Sequence, residues 1–501
     1  MKRTILAFFL LLSVTGICLA SGPKREFRGA WIQAVNHQFE GVPTQELKQT
    51  LSDQLDSLQA AGINTILFQV RVEADALYKS SLEPWSAFLT GRQGQAPDED
   101  WDPLRFMIDQ CHSRDMELHA WINPFRAKTT STTRLAANHQ ASLHPERMVR
   151  YGGLTLFNPG LKENRDYICS IAADIVTRYD IDGFHIDDYF YPYPEDGLSF
   201  NDNATFRKDP RGFSSIGDWR RDNISLFIEQ LYETVKRIKP WVKFGISPFG
   251  IYRNQSEAYP AGSETNGFES YSGLYADILL WIRNGWVDYC IPQVYWNTGF
   301  KKADYSILTE WWSKYGKGCL MYIGQDVERT VSEKDPADRN QNQERHKLNL
   351  QRSLDGLSGS CFWPALPVVN NIDGFRTVLS EEYYNTPALQ PVPKSFKFKA
   401  PGKVRKLMVV ETSNGPVLFW TAPKAKRVED YEKACRYVVY RFEHGQSVDL
   451  DDTSCIVAIT RNNYYEFNSA FGEKEKATYV VTALNRSDME SDPVRCKVSL
   501  Q

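Results

Sequence analysis

At 501 residues the chain is longer than one ordinary domain, and its 42% hydrophobic content is enough for a sizeable core. A formal net charge of −3 gives no electrostatic basis for binding nucleic acid or an anionic membrane surface. Aromatic side chains are abundant, with 13 Trp, 25 Tyr and 27 Phe, so some are available to stack on sugar rings besides packing the core.

Met1-Lys2-Arg3 followed by the apolar run Ile5 to Cys18 reads as a signal peptide over residues 1–20, cleaved before Ser21. The run is too short to span a bilayer, so the mature chain is expected to have no transmembrane segment. The expected location is periplasmic, outer-membrane-associated or extracellular. A lipoprotein acylated at Cys18 is the weaker reading, because Ile17 is larger than the small residue usual at that place. The eight remaining cysteines include no CxxC pair, so there is no zinc signature. No cofactor is expected.

Phe27 to Ile32 reads as a first strand. A helix follows from about Thr44, with Leu47, Leu51, Leu55 and Leu58 on one face and Gly62 as its stop signal. Further strands read at Ile63–Arg71, Glu117–Asn123, Asp182–Phe190, Lys243–Ser247, Val287–Tyr295, Leu320–Gln325 and Ser360–Trp363. Helical patterns lie between them, among them Ile168, Ile171, Ile175 and Tyr179, and the segment Asp218–Ile238. Eight strands alternating with helices predict an α/β fold, a (β/α)8 TIM barrel. An open doubly wound sheet is disfavoured, since no Gly-rich phosphate fingerprint follows the first strand. The barrel is expected over residues 21–385 and a Pro-rich linker over 386–400. Short alternating strands from about Pro401 to the end predict a C-terminal all-β sandwich over 401–501. Contact between the two domains is expected to be modest.

The strands agree about a polar face. Gln69 and Arg71 alternate with Ile66, Phe68 and Val70, and His119, Trp121 and Asn123 alternate with Leu118, Ala120 and Ile122. His185 and Asp187 alternate with Phe184 and Ile186, while Val294 separates Gln293 from Tyr295. Parallel strands covered on both faces normally read as unbroken apolar runs. Polar residues recurring near the C-terminal ends of several strands predict a shared cavity at the barrel mouth, where such barrels keep their chemistry.

Several ordered motifs carry a family resemblance. They include Arg28-Gly29-Ala30-Trp31, Gln69-Val70-Arg71, Asp75-Ala76-Leu77-Tyr78 and Pro84-Trp85-Ser86. They continue with His119-Ala120-Trp121-Ile122-Asn123-Pro124, Gly183-Phe184-His185-Ile186-Asp187-Asp188-Tyr189, Ser247-Pro248-Phe249-Gly250 and Pro292-Gln293-Val294-Tyr295-Trp296. Over roughly Phe27 to Leu379 the chain resembles the glycosyl-hydrolase-like family 10. The resemblance implies a TIM barrel related to glycoside hydrolases, with bacterial members that cut peptidoglycan strands stripped of stem peptides. The C-terminal segment resembles a fibronectin type III module, with Trp420, Tyr440 and Tyr479 in its usual aromatic places. The fourth strand also faintly resembles the chitinase DxxDxDxE pattern, but His185 and Tyr189 replace an Asp and the acid Glu.

Hydrolysing a glycosidic bond usually needs one protonated carboxyl and one carboxylate. Asp187 is the first candidate, with Asp188 and Asp75 competing as partner and Glu73 and Asp326 in reserve. A salt bridge or helix cap is the alternative use of Asp188. Trp85, Trp121, Trp296 and Trp363 offer stacking faces, joined by Tyr189 and Tyr295. Arg71, Asn123, Arg126 and Gln293 can bond hydroxyls, N-acetyl groups or a lactyl carboxylate, with His119 and His185 facing the same cavity. Arg71 has a structural alternative, tying the barrel mouth together. The partner is expected to be a polymeric glycan. A metal triad of His119, His185 and Asp187 in a deacetylase or hydrolase, and a non-catalytic glycan-binding protein, are the competing functions.

Overall fold

The structure is a computed structural model and describes residues 22–36, 38–130, 132, 134–425, 429–467 and 476–500. The signal-peptide reading and the Cys18 alternative lie outside the described residues. Eight parallel strands close into a barrel in chain order: β1 (Phe27–Ile32), β2 (Thr65–Arg71), β3 (Glu117–Ile122), β4 (Gly183–Ile186), β5 (Lys243–Ile246), β6 (Tyr289–Cys290), β7 (Leu320–Asp326) and β8 (Leu357–Trp363). β8 pairs back with β1, so the sheet has no free edge.

The helices form where the apolar spacing asks for them. Thr44–Ala60 buries Leu47, Leu51, Leu55 and Leu58 against the barrel and stops before Gly62, whose φ of +81° suits glycine. Lys162–Arg178 buries Ile168, Ile171 and Ile175, and it packs on Ile216–Ile238 through Ile224, Phe227, Leu231 and Val235. The sixth strand is shorter than its sequence suggests. Only Tyr289 and Cys290 pair in register, because Pro292 has no N–H to continue the ladder. Beyond it the chain is held by isolated bridges from Gln293 to Phe249 and to Gly324.

Outward-facing residues such as Ile66, Phe68, Ala120, Ile122, Phe184 and Ile186 meet the helices. Inside the barrel, rings fill the space: Phe27, Trp31, Trp121, Tyr289 and Tyr322 pack together, with Phe27 stacked on Tyr322 at 4.0 Å. Glycines make this possible. A Cβ on Gly183 would enter the His119 ring and one on Gly245 would enter the Tyr289 ring.

After Pro401 the chain forms two antiparallel sheets. One contains β9 (Arg405–Thr412), β10 (Gly415–Thr421) and β13 (Tyr464–Glu466). The other contains β11 (Arg436–Glu443), β12 (Ile456–Thr460), β14 (Lys476–Leu484) and β15 (Val494–Ser499) in the order β12-β11-β14-β15. Strands β13 and β15 were not legible in the sequence reading. Leu418, Trp420, Tyr437, Val439, Tyr479 and Val481 fill the space between the sheets.

The contact between barrel and sandwich is not modest. Lys243, at the bottom of the barrel interior, bonds Glu117 at 2.7 Å and reaches Asp488 of the sandwich at 3.1 Å. Asp488 also pairs with Arg436, and all four groups are at least nine-tenths buried. Burial pulls the Lys243 ammonium down, but Glu117 and Asp488 outweigh it and hold its pKa above the usual value. The connector is part of the joint: Leu389 is buried and exchanges backbone hydrogen bonds with Lys24 and Glu26.

Candidate active site

At the C-terminal ends of the strands lies a cavity of about 130 Å³. Its walls are Trp31 from β1, Trp121 from β3, Ser247 after β5, Gln293 and Tyr295 after β6, and Trp363 from β8. Asp187 and Tyr189, just past β4, complete it. Trp363 stands edge-on to both Trp31 and Trp121, with ring centroids 6.4 and 6.0 Å apart.

Asp187 is 3% exposed. Its Oδ2 accepts hydrogen bonds from Trp121 Nε1 at 3.2 Å and from the Asn123 amide. Asn123 is in turn held by Gln69, which donates to Asn123 Oδ1 at 2.8 Å and accepts from the Ala34 amide at 2.9 Å. Gln69, which the sequence places on the polar face without a role in the site, therefore aims Asn123, and Asn123 aims the carboxylate. Burial pushes the Asp187 pKa up to about 7; Arg126 opposes the shift and Asp188 adds to it.

Asp188 is also buried, at 1% exposure. It accepts from the Tyr193 hydroxyl, and its Oδ1 has no hydrogen-bond partner. Burial raises its pKa, opposed by Tyr193 and Gln293. It is neither a helix cap nor one half of an ion pair among the described residues.

Tyr189 borders a second cavity, of about 450 Å³, walled by Val72, Phe88, Leu154, Leu156, Tyr193 and Thr129. Much of this wall comes from the insertion after β3, a three-stranded antiparallel sheet of Arg126–Lys128, Met148–Tyr151 and Leu154–Phe157. Arg126 lines the larger cavity, its guanidinium 4.1 Å from the centre of the ring of Tyr189, which borders both.

Other candidates stand elsewhere. A register shift after Gln69 brings Arg71 opposite Ile122, an outward position, so the alternation that placed it in the cavity fails by one residue. Arg71 instead makes a bidentate pair with Glu83 and donates to the Asn123 and Pro124 carbonyls, fully buried. It ties two mouth loops together.

His119 and His185 do point into the barrel, but below the cavity. Both bond the Tyr289 hydroxyl, at 2.7 and 3.1 Å, while His119 also meets Glu117 and His185 meets Ser247. Burial, with His119 nearby, holds the His185 pKa well below its usual value. Their nitrogens aim at Tyr289 while Asp187 aims at Trp121 and Asn123, so the proposed metal triad does not converge.

Asp75 accepts from Gln93 at 3.0 Å and from the Glu73 amide at 3.1 Å inside the loop after β2, and it borders neither cavity. Glu73 is buried and bonds the Thr129 amide and hydroxyl. Burial raises its pKa. Asp326 caps the helix Val327–Ser332 by accepting from the Arg329 amide. Trp85 packs on the core beside Ala76, and Trp296 packs edge-on to Phe249 at 5.3 Å. Neither tryptophan borders the cavities. Trp31, Ser247 and Tyr193 belong to the site and were missed as site residues, although Trp31 and Ser247 stand inside motifs quoted above.

A family model described as Glycosyl hydrolase-like 10 matches residues 26–341. Glycosyl hydrolase YngK of Bacillus subtilis (strain 168) is 36% identical, with 96% of this chain and 96% of that protein covered. Glycosyl hydrolase DigH of Escherichia coli (strain K12) is 39% identical over 325 residues, covering 60% of this chain and 73% of its own. Among solved structures, the catalytic domain of beta-amylase from Paenibacillus polymyxa superposes with a TM-score of 0.47 at 12% identity, covering 72% of this chain and 100% of that one.

Proposed function

The chain belongs to the glycosyl hydrolase-like 10 family and is a glycosidase, and on that premise we propose that Asp187 is its general acid. The observation that carries this role is a buried carboxyl with a pKa of about 7 on the floor of an aromatic-walled cavity. A group with that pKa is protonated often enough near neutrality to donate to a leaving oxygen. Asp188, the next residue on the same strand end and with one oxygen unpartnered, is the second carboxylate in this reading, although it does not line the cavity as Asp187 does. Asp75 is set aside, because both of its oxygens are engaged within its own loop.

Two outcomes test these roles. Asp188→Asn is expected to lower kcat by at least a hundredfold, whereas Asp75→Asn lowers stability with a much smaller change in kcat. Equal losses in kcat would remove the distinction. For an acid at Asp187, kcat falls as pH rises through about 7, tenfold per unit on the alkaline limb. A kcat that climbs through that range would assign Asp187 the base role instead.

The substrate we favour is an extracytoplasmic glycan, in particular peptidoglycan strands lacking stem peptides. Removing the peptide leaves a free lactyl carboxylate, and Arg126 offers a guanidinium in the wall of the larger cavity for such a group. Trp31, Trp121, Tyr295 and Trp363 offer ring faces to the sugars. Export rests on the signal-like pattern of residues 1–20. No helix among the described residues is long and apolar enough to cross a membrane. We assign the barrel to residues 21–385, the linker to 386–400 and a fibronectin type III-like module to 401–501, supported by its three- and four-stranded sheets. Mass spectrometry of products from amidase-treated sacculi, beside a panel of neutral glycans, tests the substrate. Fragments released only from the neutral panel would overturn the peptidoglycan assignment and leave the glycosidase intact.

A further inference from the structure

Beneath the mouth cavity an unbroken file of hydrogen-bonded side chains runs down the barrel interior. Ser247 Oγ meets His185 Nε2 at 3.0 Å, and His185 Nδ1 meets the Tyr289 hydroxyl at 3.1 Å. The same hydroxyl meets His119 Nδ1 at 2.7 Å, and His119 Nε2 meets Glu117 Oε2 at 3.1 Å. The file ends where Lys243 donates to the other Glu117 oxygen at 2.7 Å. All six residues are buried. Its upper end reaches the site. Ile246 packs outward on the helices, so alternation turns Ser247 inward, and Ser247 lines the cavity beside Asp187 and Gln293. The acid and carboxylate roles given to Asp187 and Asp188 use none of the five residues below Ser247.

Each link holds one proton, so fixing one end fixes the rest. Glu117 is ionised: burial raises its pKa, but Lys243 and His119 outweigh burial and hold it well below the usual value. An ionised carboxylate only accepts, so His119 donates through Nε2, and Nδ1 of the neutral ring is left to accept. Tyr289 keeps its proton, because burial raises its pKa well above the usual value. It therefore donates to His119 and accepts from His185 Nδ1. The two lengths agree, since an O–H donor makes the shorter bond, 2.7 Å against 3.1 Å. His185 is neutral, its pKa held well below the usual value by burial. With its one proton on Nδ1, its Nε2 accepts from the Ser247 hydroxyl.

A serine hydroxyl ordinarily turns to donate or accept as its partner requires. Here its proton is committed downward. We propose that Ser247 is a specificity-determining residue that offers the substrate only an acceptor, and that Glu117, His119, Tyr289 and His185 are positioning residues that hold it so. This rests on the reading of the barrel mouth as the active site. The group that Ser247 takes is an N–H or O–H donor, such as the acetamido N–H or a hydroxyl of the sugar beside Asp187. A carbonyl or carboxylate oxygen set against Ser247 would meet only lone pairs.

The direction of the file is read by ¹⁵N NMR of histidine-labelled protein, in which protonated and bare ring nitrogens resonate far apart. The wild type is expected to show His119 protonated at Nε2 and His185 at Nδ1. Glu117→Gln reverses the file. Lys243 claims the amide oxygen, so the amide nitrogen donates to His119 and every proton up to Ser247 changes partner. Both tautomers are expected to invert, although His185 bonds only Tyr289 and Ser247. A His185 proton on Nε2 in the wild type, or a His185 tautomer unchanged in Glu117→Gln, overturns the proposal. Tyr289→Phe spares the Glu117–Lys243 pair and serves if Glu117→Gln does not fold. It is expected to leave the His119 tautomer in place and release that of His185; a His185 tautomer indifferent to it overturns the proposal as well. Initial rates on amidase-treated sacculi give the second readout. Ser247→Ala and Glu117→Gln are each expected to raise KM about fivefold with kcat within about twofold, roughly what one hydrogen bond contributes. An unchanged KM in Ser247→Ala overturns the proposal. No hydrolysis by the wild type overturns the substrate assignment instead, and the tautomers then decide alone.

Discussion

Asp187→Asn is expected to lower kcat by about 10²–10⁴-fold while the fold is retained. The amide is close in shape to the acid and still offers an oxygen to Trp121 Nε1 and Asn123, so the cavity keeps its form. What it cannot do is give up a proton. The same variant has a thermodynamic signature. The folded pKa of Asp187, about 7, lies above its unfolded value near 3.8, so ionisation costs folded-state stability. That contribution is fully present below pH 3.8 and is lost as pH rises through about 7. The wild type should therefore lose stability over this interval relative to Asp187→Asn, as melting curves at several pH values will show. Near wild-type turnover by the variant on a responsive glycan would remove Asp187 from the chemistry.

Asp488→Asn is expected to destabilise the protein by about 3–5 kcal/mol, the usual effect of breaking a buried charge pair from one side. Asn tolerates the φ of +59° at this position, so the loss is one of charge and not of backbone fit. Arg436 would lose its buried acid, and Lys243 would keep only Glu117. Denaturant unfolding measures the shift in midpoint; an unchanged midpoint would mean that the joint carries no weight. By the same reasoning, a chain ending near Pro393 is expected to lose stability as well as its sandwich, because it forfeits Arg436 and Asp488 together.

The course of the barrel was legible because each strand carries its own alternation and each helix its own apolar stripe. Leu47, Leu51, Leu55 and Leu58 are one such stripe, and Phe184, Ile186 against His185, Asp187 one such alternation. Alternation gives the face of a strand but not the height of a residue above the barrel floor. For that reason His119 and His185 were grouped with Asp187, although Tyr289, more than a hundred positions away, holds them beneath it. Arg71 was misplaced for a different reason: one extra residue in β2 reverses inside and outside, and no side-chain type marks the spot. The joint through Lys243, Glu117, Arg436 and Asp488 left no trace in local pattern either. Its members come from distant segments, and each alone reads as an ordinary surface charge.

The two-residue sixth strand gives the barrel a thin seam. Amide exchange along Tyr289–Tyr295 should be faster than along β2, whose seven residues are buried throughout, because fewer backbone bonds must open together. Gln293 and Tyr295 hang from that seam and form one wall of the small cavity. A cavity of about 130 Å³ leaves little room for a sugar ring to slide in along its axis. Local opening of this one wall would widen the cavity on the side of Gln293 and Tyr295, so a polymer should engage most easily from that side.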